Sequence, residues 1–197
     1  MSILTLAATL LLLGPVTLES GKFTITQNGK KIGSEEFTIS SRRAGGYIAE
    51  AKTQLTGDPS VLSSRMELDD KLNVISYEYS HGKGVIHVKV DQPTSEYETA
   101  TDGKSASIQF RFPENGFILD NNFFSHYLML LYKIGNSGAM VPVFVPQDMQ
   151  LGIATVKLKG SNVYELEMSD VSMEATTDKN GKLIKLTVPS AKVVVER

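Results

Sequence analysis

A turn signal about every ten residues, separating short segments in which apolar and polar side chains alternate, most narrows what this 197-residue chain can become. Alternation at period two belongs to a strand with one buried face, and close-spaced turns join such strands antiparallel. Phe23 and Ile25 alternate with Lys22, Thr24 and Thr26, and Asn28-Gly29 then supplies a hairpin turn. Further segments read as strands at 31–40, 47–55, 66–68, 74–80, 85–90, 97–101 and 105–112. Others follow at 141–145, 151–158, 163–168, 171–176, 183–188 and 192–196. About thirteen strands of an antiparallel meander cannot stay open and flat. The expected class is mainly β, a meander coiled into a half-barrel or open barrel around one central helix. Pro142 and Pro146 bracket Val143-Phe144-Val145, so that strand is expected either at an edge, where a missing N–H costs no ladder bond, or with little ladder bonding.

One stretch breaks the period. Residues 117–136 read FILDNNFFSHYLMLLYKIGN, the only long helical pattern in the chain. Asp120, Asn121 and Asn122 are N-cap residue types, and Gly135-Asn136 supplies a stop. At about 100° per residue, the apolar side chains from Phe123 to Ile134 cover roughly 200° of the circumference. Ser125, Met129, Lys133 and His126 occupy the remaining arc, which places His126 on the wet side. An apolar arc that wide needs cover on most sides, and the rest of the chain offers only a curved sheet.

A formal charge of −2 gives no footprint for nucleic acid. The absence of cysteine excludes disulfides, thiolate metal sites and cysteine nucleophiles, and suits an oxidising compartment. The first eighteen residues carry no charge, and 3–13 form an apolar run broken by Gly14-Pro15. Residues 1–20 are expected to be a signal peptide and 21–197 a single half-barrel domain, periplasmic or secreted. The run is short for a membrane anchor, which needs about 20 apolar residues. No membrane span is expected after processing.

Catalytic motifs are absent: no G-x-S-x-G, H-E-x-x-H, P-loop or G-x-G-x-x-G occurs. His81, His87 and His126 lie on different elements without metal-ligand spacing. The polar cluster Asp120, Asn121, Asn122, Ser125 and His126 has two readings. Its residues cap a helix, or Asp120 orients His126 at the end of a cavity, as a hydrolase or isomerase would require. Ser125 and His126 point about 100° apart on a helix, which disfavours a nucleophile–base pair. The aromatic set Phe117, Phe123, Phe124, Tyr127 and Tyr132 is either core or the lining of apolar volume that one helix cannot fill.

The segment NGKKIGSEEFTIS, residues 28–40, resembles the first hairpin of several exported bacterial families. The long meander around a short helical insertion resembles the bacterial lipoprotein-carrier and lipoprotein-receptor fold (LolA/LolB-like). That resemblance implies a concave apolar sheet under a helical cover, which in those families holds an acyl chain. It gives as expected ligand-binding residues Phe117, Phe123, Phe124, Tyr127, Leu128, Leu131, Tyr77 and Phe110. The expected function is non-enzymatic binding of a lipid, an acyl chain or another elongated apolar ligand, with no cofactor and no metal. An envelope protein is a further expected partner. The competing reading is an interaction module with a packed interior, whose exposed sheet edge engages a partner.

Overall fold

The computed structural model describes residues 16–169 and 171–197. The apolar run at 3–13 therefore lies outside the described residues. The first eight strands are β1 (Thr17–Gln27), β2 (Lys30–Ser41), β3 (Tyr47–Leu55), β4 (Leu62–Leu68), β5 (Val74–His81), β6 (Gly84–Lys89), β7 (Ser95–Thr101) and β8 (Lys104–Phe110). After β9 (Phe117–Ile118) comes the helix α1 (Ser125–Ile134), then β10 (Ala139–Val145) and a 3-10 turn, Pro146–Asp148. The chain finishes with β11 (Gln150–Gly160), β12 (Val163–Met168), β13 (Val171–Thr177), β14 (Leu183–Val188) and β15 (Val193–Glu196). All fifteen strands form one sheet in the order β8-β7-β6-β5-β4-β3-β2-β1-β15-β14-β13-β12-β11-β10-β9.

Nearly every strand pairs antiparallel with its neighbour in sequence. The exceptions are the antiparallel seam between β1 and β15 and the parallel contact of β9 with β10. Period-two alternation fixes which side is core. Glu19, Ile39, Ala49, Met66, Tyr77, Val88 and Tyr97 oppose one another in turn across β1 to β7, and all are buried. On the other face, Glu50, Arg65, Glu78, His87 and Glu98 form a row of largely alternating charge over β3 to β7. Its Arg65–Glu50 pair is 2.9 Å long and exposed. Such pairs add little stability, but a one-residue slip would bury them and expose the apolar row, so they fix the register.

The sheet coils without closing. Beyond β10 its end tucks inward: β9 lies against β5 and the 3-10 turn against β6. The Tyr97 hydroxyl donates to the Pro146 carbonyl at 3.0 Å, and the rings of Phe110 and Phe144 lie 4.9 Å apart. This overlap leaves β8 outside, with Lys104–Gln109 exposed.

Three expectations change. The helix occupies only the second half of the expected stretch, because Phe117–Ile118 is drawn into the sheet beside Val143 and Phe144. β9 is thereby a strand that the alternation did not reveal, and the described residues form fifteen strands against the thirteen or so expected. The helix is also enclosed more completely than its apolar arc requires: Ser125, His126 and Met129, assigned to the wet side, are all buried. Gly135 does end the helix, with φ 63 and its N–H on the Leu131 carbonyl. Pro142 lies one strand in from the edge. The Phe144 carbonyl faces β9, accepting from Leu119, so Pro142, two residues earlier, turns its missing N–H the same way. There β9 is too short to need it.

Candidate functional site

The first turn of α1 is fastened to the inner face of β2 to β5 by buried polar groups. Asp120, Asn121 and Asn122 do not cap it. Glu35, from β2, does: one carboxyl oxygen accepts the Phe124 N–H at 2.5 Å and the other the Ser125 N–H at 2.9 Å. Two amides that the helix geometry leaves unpaired are thus satisfied from another element. Glu35 is fully buried, and that burial pushes its pKa up from 4.5 to about 7 against the lowering effect of its donors. The Ser125 hydroxyl, buried next to the same carboxyl group, makes no bond of good hydrogen-bond geometry. Thr53, opposite Glu35 on β3, donates its hydroxyl to the Asn122 carbonyl at 2.7 Å.

His126 sits on the same floor. Its Nδ1 accepts the Asp120 N–H at 3.2 Å, so the neutral ring carries its proton on Nε2, which points at Ser64 Oγ, also at 3.2 Å. Phe123 stacks on the ring and Tyr77 meets it edge-on. Burial lowers the His126 pKa from 6.5 to about 3. The Asp120 carboxylate turns away from the imidazole. It accepts the Tyr77 hydroxyl at 2.6 Å and the backbone N–H groups of Asn121 and Gln147. Burial raises the pKa of both Asp120 and Tyr77. An imidazole that stays neutral, with its lone pair on a backbone amide, has no free base to offer a substrate. This arrangement positions a helix. Among the described residues no group of three His, Asp or Glu side chains is placed to hold a metal ion.

The C-terminal half of α1 meets the sheet differently. A cavity of about 470 Å³ opens between it and the floor of β1 to β3. Leu18, Ile39, Tyr47, Leu72 and Met129 supply its apolar walls, and Glu19, Tyr132 and Lys182 its polar groups. The Glu19 carboxylate is already engaged, accepting the Tyr132 hydroxyl and the Arg197 guanidinium. Arg197 lies over the Phe37 ring, 5.1 Å from its centre. Gly21 makes room for both, since a Cβ there would come within 2.9 Å of the ring and 2.8 Å of the guanidinium. Lys182 has no carboxylate within ion-pair distance among the described residues. A wider groove of about 810 Å³ on the outer face is lined by Lys22, Glu36, Glu50, Lys52 and Arg65. Its ions largely neutralise one another, as in the Lys22–Glu36 pair at 2.8 Å.

None of the eight expected ligand-binding residues lines the cavity. Phe117, Phe123, Leu128, Leu131 and Tyr77 are buried core, and Phe124 and Tyr127 are half-buried against it. Phe110 packs its ring at a tilt against Phe144 at the overlap of the sheet ends. The sequence reading missed Glu35 and Glu19, although a signal was present. Both share parity with apolar neighbours, Glu35 with Phe37 and Ile39, Glu19 with Phe23 and Ile25, so alternation alone turns them inward. Comparison of the chain with protein-family models, curated proteins and solved structures finds no match.

Proposed function

We propose that the chain is an exported binding protein that takes an elongated apolar ligand, a lipid or a free acyl chain, beneath the C-terminal half of α1. The observation that carries this reading is the cavity of about 470 Å³ beside an otherwise packed helix. Its size falls within the usual span for small-molecule sites, roughly 300–1,000 Å³. Apolar walls with few polar groups suit a chain, and Lys182 offers a cation for an anionic head. The half-barrel under a helical cover is in keeping with the likeness to lipoprotein carriers, and no helix among the described residues is long and apolar enough to cross a membrane.

The absence of tryptophan gives a clean test. In a Tyr47→Trp variant the sole indole sits in the cavity wall. Titration with a long-chain fatty acid is expected to change its fluorescence saturably, while Ile184→Trp on the exposed face of β14 stays silent. Lys182→Glu is expected to weaken the fatty acid severalfold and leave a fatty alcohol unaffected. No saturable response at Tyr47→Trp to either compound would end the lipid-binding reading.

Export makes a second prediction. β1 begins at Thr17, and Glu19 within it holds Tyr132 and Arg197. A leader that spares these bonds ends before Glu19, short of the twenty residues expected from the sequence, so N-terminal sequencing of protein from the cell envelope or medium should begin at or upstream of Glu19. Mature protein beginning after Glu19, or intact chain confined to the cytosol, would contradict it.

A further inference from the structure

The β7–β8 hairpin closes on Asp102-Gly103, with φ 51 and 77, a two-residue turn that pairs Thr101 with Lys104. The pair flanking such a turn exchanges both backbone bonds, and bonded pairs then alternate along the ladder. Lys104, Ala106, Ile108 and Phe110 therefore spend their backbone groups on β7. Ser105, Ser107 and Gln109 each turn an N–H and a C=O to the open side.

Monomeric sheets guard such edges with charge, proline, bulges or very short strands. The opposite end of this sheet is guarded, since β9 has two residues and Pro142 and Pro146 mark β10 and its end. β8 carries a single charge, Lys104 at its first position beside the turn, and none of the other devices. It pairs with β7 over seven residues without a bulge, and its outward-facing side chains, Ser105, Ser107 and Gln109, are neutral. Every strand from β1 to β7 carries at least one Lys, Arg or Glu on that same outer face, from Lys22 to Glu98.

We propose that β8 is a self-association edge, at which a second copy of this chain adds its own β8 antiparallel about a two-fold axis through Ser107. In that register Ser107 meets Ser107 of the second copy and Ser105 meets its Gln109, so every free backbone group on the edge finds a partner. On the inner face Ile108, 43% exposed, lies across from Ala106 of the second copy. On the outer face the charge row that runs from Glu50 to Glu98 ends on Ser107, so two serines separate the Glu98 of one copy from that of the other. Moving the axis to Gln109 would oppose Ser105 with Pro113, which has no N–H to give. No charged group of the second copy stands opposite a like charge, which suits the edge to its own image better than to a charged partner.

The test is sedimentation of the full chain from micromolar to millimolar concentration. The unmodified protein is expected to shift from one to two chains as concentration rises, with the amides of Ser105, Ser107 and Gln109 gaining hydrogen-exchange protection over the same range. Ser107→Asp and Ser107→Lys should each stay monomeric alone and form a dimer when mixed, because unlike charges then face each other at the axis. Protein that stays monomeric throughout, or charge variants that dimerise as well alone as together, would overturn the proposal. The exchange measurement on unmodified protein decides the matter if a variant fails to fold.

Discussion

Glu35→Ala destabilises the folded chain by about 3 kcal/mol, combining a lost helix cap with two buried amides left without acceptors. The neighbouring Glu36→Ala changes stability by less than about 0.5 kcal/mol, as exposed substitutions do. Residues 35 and 36 are both glutamate, and the difference lies wholly in which side of the sheet each faces. Glu36 reaches Lys22 in solvent, whereas Glu35 holds Phe124 and Ser125 in the dry interior. Glu35→Gln keeps the volume and one acceptor, so its cost should lie between these two. Urea unfolding of the three variants reads the order, and equal effects at 35 and 36 would deny Glu35 its role at the helix.

The second expected result is a stability profile kept flat by two opposed groups. His126 has an unfolded pKa of 6.5 and a folded value of about 3, so below pH 6.5 the unfolded chain gains a proton that the folded chain refuses. Its contribution is complete above pH 6.5 and is lost as pH falls, by about 1.4 kcal/mol per pH unit. Glu35 has the opposite sign. Its pKa rises from 4.5 unfolded to about 7 folded, so its contribution is complete below pH 4.5 and is lost as pH rises to 7. Between pH 4.5 and 6.5 the two slopes cancel. Asp120, raised above 3.8 by its own burial, adds to the Glu35 side. His126→Gln should then expose a fall in stability from pH 4.5 to 7, and Glu35→Gln a fall on acidification below 6.5. Denaturation midpoints measured across this range check both, and parallel profiles for the two variants would refute the assignment.

Period-two alternation made the strands legible, because each half-buried strand writes its two faces into neighbouring residues. Phe23, Phe37, Met66 and Tyr77 all fall inward as alternation requires. The helix misled because its local rules were overruled from afar. Asp120 has the side chain of a cap but spends it on Tyr77 and Gln147, while a strand residue, Glu35, does the capping. An apolar arc counted on a wheel also cannot tell a wet polar residue from one with a buried partner. His126 is such a residue, and its partner Ser64 lies 62 positions away. The cavity was not legible either, since Leu18, Leu72 and Lys182 come from turns and strand ends that only the completed coil brings together.

The seam between β1 and β15 carries the largest loop-closure cost in the sheet. Hairpin neighbours lie a few residues apart, whereas Ile25 and Val195, opposed across the seam, are 170 positions apart. Closing so long a loop costs about 2–3 kcal/mol more than closing a hairpin. The seam repays this over only four opposed pairs. The anchors of α1's first turn, Glu35, Thr53, Ser64 and Tyr77, all precede it in the chain. The polar anchoring of the helix's first turn to β2–β5 therefore needs no residue from beyond the seam. The Glu19–Arg197 contact adds an ion pair between the two ends of the chain at this seam, where backbone pairing is short.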